Sequence, residues 1–503
     1  MDLKILFYNI PGIINSKKLQ PIEINGIQVD PNLCQPGFLY VADESETVDS
    51  KRMGFRLDGR DFISLAIQNG AKCILTTPEV HVSENVLVIR HKQPLKILGM
   101  LYGRFLAGLY PNMIALITGT DGKTSTANFC SMIWAMLGKP SCSIGTLGAQ
   151  CSDGSMIWSP NENITVPDTL SMHDILQCLP SKGVNHVAAE ATSHALYDYR
   201  LSGIPASIGA FTNVTQEHLD FHKNMETYFQ VKMRLFDEVL ESGSYAVLNA
   251  DSDWFERAYQ ICKNKKHHII SFGLKGKELR LKQVIKNASG QELILEIESK
   301  TYSTQLNLPG LFQAYNALTS LGIIISSGVA VEQALACIPQ LKEVEGRLNT
   351  VGFTPSGGRV VIDFAHTPNA IKAALKACRN FTKNKLYVLF GPEINVNQAK
   401  SKAMGKEAST YADIVIVSDS YTNIPNPALA RSYILSEIPN ALEISDRPKA
   451  IAQVCHMLTK GDTLLIADRI DQTIFATALG NSAYSDSLCV RSIICGMNNT
   501  TGG

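Results

Sequence analysis

The residues best suited to chemistry lie in Met113-Ile-Ala-Leu-Ile-Thr-Gly-Thr-Asp-Gly-Lys-Thr-Ser-Thr126. An apolar run that reads as a buried strand ends in a glycine turn, a lysine and a stretch able to turn helical. That is the order of parts in a phosphate cradle. Gly119 and Gly122 let the backbone turn tightly and aim N–H groups at an anion, with Thr120, Asp121 and Ser125 in the same loop. Lys123 adds a point charge near the terminal phosphates, and the Thr124 hydroxyl suits Mg²⁺. The spacing is not G-x-x-x-x-G-K-[ST], because Ile117 stands where the first glycine belongs. The competing reading is an ordinary strand-to-helix turn with a surface lysine. Gly-Lys-Thr directly after an apolar strand speaks against it.

Further along, Glu190 ends the apolar run of His186-Val-Ala-Ala-Glu190. Ligands of open α/β sheets gather at the carboxyl ends of strands, so Glu190 falls where a metal carboxylate is expected. Taken alone it is equally a solvated strand end. The next run leads into Thr212-Asn-Val-Thr-Gln-Glu-His-Leu-Asp-Phe-His222. Two histidines and two carboxylates within six residues of this stretch favour function over a plain surface loop. In Tyr228-Phe-Gln-Val-Lys-Met-Arg-Leu-Phe236, Lys232 and Arg234 sit on an otherwise aromatic and apolar helix. On their own they read as snorkelling cations.

The elements that position these residues read as α/β throughout. Short apolar runs at His186–Glu190, Ile208–Asn213, Ser244–Asn249 and His268–Phe272 alternate with helical or turn material. That pattern predicts a mostly parallel sheet covered by helices. Leu279 to Leu308 alternates instead and predicts an antiparallel hairpin at the edge. Before the glycine turn, a strand over Gly37–Ala42, a helix over Asp61–Gly70, a strand over Cys73–Thr77 and a helix over Pro94–Leu109 form a small α/β unit. After it, helices are predicted over Phe312–Ser326 and Val331–Cys337. A second α/β run follows, with strands at Arg359–Asp363, Lys385–Phe390, Asp413–Val417 and Asp462–Ala467. Helices over Pro368–Cys378 and Pro448–Leu458 lie among them, and the polar tail from Asn498 is expected to be mobile.

The whole chain sets outer limits. Its 503 residues exceed one core, and about three domains is the expectation. Boundaries fall at 1–110, 111–345 and 346–503. With 46 basic and 46 acidic residues the charges cancel, so no nucleic-acid partner and no membrane insertion are implied. No segment reads as a signal peptide or a membrane span. The 12 cysteines are scattered, without zinc spacing, and read as free thiols in a cytoplasmic protein, expected to be a monomer.

Taken together the motifs resemble the Mur ligase family. Gly119-Thr-Asp-Gly-Lys-Thr-Ser125 matches its ATP signature. Further matches are Ser143-Ile-Gly-Thr-Leu-Gly148, Thr165-Val-Pro-Asp168, Glu190-Ala-Thr-Ser-His-Ala-Leu196 and Phe211 to His222. The succession continues through Lys232-Met-Arg-Leu-Phe236, Leu308 to Ala317, Glu345-Gly-Arg347 and Ile362-Asp-Phe-Ala-His-Thr-Pro368. Within the family the MurE branch, which adds the third residue of the peptidoglycan stem peptide, is the most similar. The resemblance implies three domains. The first is a small N-terminal α/β domain that binds a UDP-linked substrate, and the second a central P-loop-type ATP domain. The third is a C-terminal Rossmann-like domain that binds the amino acid. It implies ATP-dependent amide ligation through an acyl phosphate. Lys123, His218 and Lys232 are then catalytic, and Thr124, Glu190, His218 and a carbamylated Lys232 hold Mg²⁺. Asn316, Arg347 and Asp363 match positions that bind adenosine and phosphate, with His366 beside them. Thr165, Ser193 and Arg200 match contacts to the UDP-sugar-peptide.

The departures gather at the amino-acid end. Diaminopimelate-adding relatives carry Asp-Asn-Pro-Arg where this chain has Asp419-Ser-Tyr-Thr422. Asp419 keeps the first of those substrate-binding positions, and the arginine position is a threonine. Gly-Lys-Gly-His-Glu becomes Asp468-Arg-Ile-Asp-Gln472, Gly-Gly-Asp-Arg-Asp becomes Gly391-Pro-Glu-Ile-Asn395, and the N-terminal Asp-Ser-Arg becomes Val29-Asp-Pro31. A bidentate arginine is not replaced by threonine without losing carboxylate recognition. The expectation is therefore an amino acid other than diaminopimelate. Other readings are a diverged ligase of another pathway, a non-catalytic ATP-binding partner protein and, more weakly, a kinase or ATPase. Joint presence of Lys123, Glu190, His218, Lys232, Arg347 and Asp363 speaks against the non-catalytic one, because such a charge constellation is costly to bury.

Overall fold

The strand that leads into the glycine turn is apolar throughout because both of its faces are covered. Ile114 and Leu116 enter one core; Ala115 and Ile117 enter another on the opposite face. The same division repeats in the other parallel strands. A computed structural model of the chain describes residues 1–14, 21–43, 58–82, 86–160, 165–287, 290–393, 396–420, 424–468, 473–477 and 480–501. It shows a three-domain α/β architecture built on three principal sheets.

The first sheet is small and parallel, in the order β1 (Gly26–Gln28), β2 (Phe38–Ala42), β3 (Cys73–Thr76), β4 (Leu87–Arg90). The helix Pro94–Leu106, with its proline in the first turn, packs Ile97, Leu98 and Leu101 against Leu39, Val41, Cys73 and Leu75. The shorter helix Ile63–Gln68 closes the other face through Ile63 and Ala66.

Eleven strands make the second sheet. They are β5 (Met113–Thr118), β6 (Ser141–Gly145), β7 (Gly148–Cys151), β8 (Met156–Trp158), β9 (His186–Glu190), β10 (Ile208–Phe211), β11 (Tyr245–Asn249), β12 (His268–Gly273), β13 (Leu279–Asn287), β14 (Gly290–Ile297) and β15 (Lys300–Leu306). Seven of them, in the order β13-β12-β11-β10-β5-β9-β6, run parallel. Antiparallel strands extend both edges, β7-β8 on one and β14-β15 on the other. The predicted edge hairpin is thus a three-stranded meander. Its middle strand alternates buried and half-buried residues, as a sheet covered on one face requires.

The third sheet comprises β16 (Asn349–Phe353), β17 (Arg359–Ile362), β18 (Leu386–Phe390), β19 (Ile414–Val417), β20 (Leu442–Glu443) and β21 (Thr463–Ile466), in the order β16-β17-β21-β18-β19-β20. All pairs but the first are parallel. Val388 and Leu465 point into one core, Leu389 and Leu464 into the other. A separate hairpin, β22 (Thr473–Thr477) with β23 (Gly480–Tyr484), follows. A helix, Asp486–Thr501, runs into the polar tail, for which the sequence pattern predicts no element. Val490, Ile493, Ile494 and Met497 pack this helix onto the third sheet, which anchors its preceding turns. Among the described residues no helix is long and apolar enough to cross a membrane.

Candidate active site

The carboxyl ends of β5, β9 and β10 lie side by side in the second sheet, and the loops that follow them carry most of the residues singled out above. The first loop is shaped by its two glycines. Gly119 has φ +151° and Gly122 φ +86°, a region that favours glycine. A Cβ on Gly119 would strike the Thr212 hydroxyl, and one on Gly122 would strike Asn316 Oδ1. The loop is pinned from β10. Thr120 N–H donates to Asn213 O (2.9 Å), Asp121 N–H to Asn213 Oδ1 (2.9 Å) and Thr212 Oγ1 to the Asp121 carbonyl (2.7 Å). A loop held this firmly needs little further ordering around an anion.

Lys123 and Thr124 open the helix Lys123–Met136, with Ser125 buried in its first turn. Lys123 Nζ donates to the carbonyls of Thr120 (2.7 Å) and Gly119 (3.1 Å). Burial lowers its pKa, with Arg347 adding to the effect and Glu190 and Asp121 opposing it. Thr124 Oγ1 donates to Glu190 Oε1 (2.8 Å), and the Thr146 N–H donates to the same oxygen (2.8 Å). From the third sheet's side, Arg347 Nη2 donates to Thr124 Oγ1 (2.8 Å) while its guanidinium lies over the Phe364 ring at 5.0 Å. Thr124 therefore collects a carboxylate from β9 and a cation that precedes β16.

Lys232 and His218 enter from the second sheet's helical side. Lys232 is 1% exposed. Its Nζ donates to Gly119 O (2.8 Å) and lies 4.4 Å from the Tyr228 ring centre. Burial first, and the Lys123 charge second, hold its pKa well below the usual lysine range. Tyr228 OH meets Thr120 Oγ1 (3.2 Å), so this aromatic joins lysine and loop. His218 has left-handed backbone, φ +51°. Burial takes its pKa down to about 3, which leaves a neutral imidazole able to act as a ligand.

Asp363 follows β17, and its Oδ2 accepts from Leu348 N–H (2.7 Å). Burial raises its pKa to about 6 against the pull of Arg347. Asn316 donates to Gln313 Oε1 (3.1 Å) from the helix Leu311–Ser326. His366 Nε2 stands 3.3 Å from Glu217. Burial would lower its pKa, but the Glu217 charge and hydrogen bond outweigh that and raise it. Glu217 also pairs with Lys400 (2.8 Å), which pairs with Glu393 (2.9 Å). The ligand atoms of Glu217, His366 and Glu393 lie within 4.8 Å of one another. Glu393, Lys400, Thr146 and Tyr228 were not singled out by residue type, and Glu217 was counted only as one of the two carboxylates of the stretch from Thr212 to His222. Only Glu217, beside His218 in Gln-Glu-His, carried a signal.

The residues matched to the UDP-sugar-peptide make contacts of their own. Arg200 donates to Val166 O (3.2 Å), beside Thr165, and to Asp198 (2.8 Å). Ser193 Oγ meets His222 Nε2 (3.0 Å). Asp419 follows β19 and pairs with Arg431 (2.5 Å), which also pairs with Glu443 (2.8 Å). Tyr421, Thr422, Arg469, Asp471 and Asn395 lie outside the described residues.

Residues 117–324 match the Mur ligase middle domain and residues 346–467 the Mur ligase glutamate ligase domain. The UDP-N-acetylmuramoyl-L-alanyl-D-glutamate--2,6-diaminopimelate ligase of Mesorhizobium japonicum is 35% identical over 453 residues, 89% of this chain and 90% of that protein. Among solved structures, a UDP-N-acetylmuramoyl-L-alanyl-D-glutamate--2,6-diaminopimelate ligase superposes with a TM-score of 0.68 at 22% identity, covering 99% of both chains. The MurF ligase of Thermotoga maritima in complex with ADP gives 0.61 at 18% identity, covering 94% of this chain and 98% of that one. With this relationship across nearly its whole length, the chain belongs to the Mur ligase family and is an ATP-dependent carbon–nitrogen ligase of the MurE type.

Proposed function

We propose that the chain activates a carboxylate of a UDP-N-acetylmuramoyl-peptide as an acyl phosphate and joins it to the amine of an amino acid, with ATP as co-substrate. The observation that carries this reading is the meeting of Lys123, Thr124, Glu190 and Arg347 at one loop. A carboxylate is a poor electrophile, so phosphorylation must precede attack by the amine. On this reading Lys123 stabilises the charge that grows on the transferring phosphoryl, and Arg347 adds a second cation from the third sheet's side. Asn316, Asp363 and His366 are assigned to the nucleotide. Thr165, Ser193 and Arg200 are assigned to the UDP-sugar-peptide, and Asp419 to the amino-acid end.

The residues fit Mg²⁺. Thr124 and Glu190 offer hard oxygen donors 2.8 Å apart, His218 is kept neutral by burial, and a carbamylated Lys232 would add an anionic oxygen. When bound there, Mg²⁺ neutralises charge on the phosphoryl group. On this reading 1–110 receives the UDP end, 111–345 the ATP and 346–503 the amino acid, in a cytoplasmic monomer. The test is a panel of amino acids with UDP-N-acetylmuramoyl-dipeptide and ATP, reading phosphate release and product mass. Absence of any ligated product with every amino acid would overturn the reading. The amino acid itself is proposed to differ from the diaminopimelate for which the relatives are named. Arg431, the nearest spare cation in sequence to Thr422, is already shared between Asp419 and Glu443.

A further inference from the structure

Strands β6 and β7 place Cys142 directly opposite Cys151. Hydrogen-bonded and non-hydrogen-bonded pairs alternate along an antiparallel ladder. Ser152 N–H donates to Ser141 O (2.8 Å), so the adjacent cysteine pair takes the non-hydrogen-bonded place. There the Cβ atoms stand about 4.5–5.5 Å apart, toward the closer end. A disulfide needs about 3.5–4.5 Å, so a small approach of the strands suffices. Both thiols are free and buried, and Cys151 borders the exposed turn at residues 152–155. The two-residue turn of this hairpin, Thr146-Leu147, carries the Thr146 N–H that donates to Glu190 Oε1 (2.8 Å), the oxygen that also accepts from Thr124.

We propose that Cys142 and Cys151 are a peroxide-sensitive modification site, closing reversibly into a cross-strand disulfide that draws Thr146 away from Glu190 and slows ligation. The neighbouring Cys142 thiol is the largest influence that lowers the Cys151 pKa, to about 7, with Ser155 helping and burial opposing. Cys151 is therefore the attacking thiolate and Cys142 the resolving thiol. The thiolate attacks one oxygen of hydrogen peroxide and the O–O bond breaks, leaving a sulfenic acid and hydroxide. The Cys142 sulfur then attacks the Cys151 sulfur, the S–S bond forms, and the sulfenic oxygen departs with a proton as water. Two thiols lose two electrons, and one peroxide becomes two waters. A small dithiol reverses the reaction by exchange. Disulfides in a reducing compartment are transient sensors of this kind.

The disulfide stands independently of the ligase reading; its effect on rate rests on it. The test treats reduced, full-length protein with hydrogen peroxide, alkylates remaining thiols, and reads intact mass, a peptide map and the ligation rate. Before alkylation a mass lower by two hydrogens is expected, after it two fewer alkyl groups than the reduced control, with the link mapped between Cys142 and Cys151. Ligation should fall roughly tenfold or more, the equivalent of one charge-assisted hydrogen bond, and dithiothreitol should restore it. Cys142→Ser should instead accumulate a sulfenic acid on Cys151 that a cyclic 1,3-diketone traps. A link absent from the wild-type map, a link to Cys178, or an oxidised protein ligating at the reduced rate would overturn the proposal. A mapped link in a protein whose reduced form ligates nothing would fault the ligase reading and leave the site standing.

Discussion

Replacing Lys232 by methionine separates a working anion from a merely buried lysine. The side chain is 1% exposed, and its described contacts are one carbonyl at 2.8 Å and one ring at 4.4 Å. Among the described residues no carboxylate forms an ion pair with it. With its pKa pushed well below the usual range by burial and by Lys123, the amine is neutral far below the pH at which an exposed lysine would be. A neutral amine is the form that adds carbon dioxide, and the product carbamate is an anion beside the cation of Lys123. Methionine matches the length and removes both amine and carbamate. One neutral hydrogen bond to Gly119 is lost, about 0.5–1.5 kcal/mol, offset by no longer burying an amine. The thermal midpoint should therefore move by no more than about 4 °C. If the carbamate acts on the phosphoryl site, a preorganised electrostatic contact disappears, and the rate should fall about 10²–10³-fold. Phosphate release at saturating substrates, thermal melting and a ¹³C spectrum after labelling with bicarbonate read the three quantities. Short-chain carboxylates should partly restore the variant. A folded Lys232→Met enzyme with near-native turnover, or active enzyme lacking the carbamate resonance, refutes the reasoning.

Lys123→Ala should lower turnover by about 10²–10³ in a phosphate-release assay, and a folded variant near normal rate would remove the phosphate-cradle reading. In a competition among amino acids at equal concentration, diaminopimelate should not give the highest kcat/KM. An unpaired buried carboxylate costs about 1–3 kcal/mol, roughly tenfold to a hundredfold in selectivity, and a win for diaminopimelate would defeat that argument. The contact between Glu217 and His366 predicts a pH window for stability. His366 has a raised pKa, so its contribution is full below 6.5 and is lost as pH rises through the folded value. Glu217 has a lowered pKa, so its contribution is present above 4.5 and is lost as pH falls through the folded value. His366→Gln should therefore cost most between pH 4.5 and 6.5, and melting curves showing a larger loss at pH 9 would contradict the pairing.

What the sequence made legible follows from local physics. Strands covered on both faces are written as unbroken apolar runs, which is why β5, β9, β17, β18 and β21 are found within a residue or so of their predicted places. The glycine turn was readable because Gly-Lys-Thr can do little else after such a strand. The last helix was missed although Val490, Ile493, Ile494 and Met497 have helical spacing; the polar residues after Met497 hid it. The short strands β6 and β7 were visible as a motif and not as strands, and the meeting of Cys142 with Cys151 needs their register. Lys400 and Glu217 are 183 residues apart, and no local pattern encodes a contact that two sheets create.

The segment proposed for the amino-acid end is internally well tied, although the sequence shows only departures there. The segment aligned with Gly-Lys-Gly-His-Glu begins at Asp468, which takes φ +87°, a conformation glycine adopts freely and aspartate does not. Its carboxylate turns inward at 1% exposure. Oδ2 accepts from Gly391 N–H at the end of β18 and from Arg447 Nη1 at 3.4 Å. Arg447 in turn holds Asp486 at 2.8 Å, the first residue of the last helix, and the Ala467 carbonyl at 3.0 Å. Burial raises the Asp468 pKa to about 6, so the group favours its neutral form more than a surface aspartate does. A strained backbone and a buried acid persist only when their surroundings over-determine them, and here Asp468 and Arg447 together tie the ends of β18 and β21 to the closing helix. The loop proposed for the phosphoryl group gathers cations and carboxylates, and the segment proposed for the amino-acid end is organised around Asp468 and Arg447. That arrangement is consistent with the proposal that the chain takes an amino acid other than diaminopimelate.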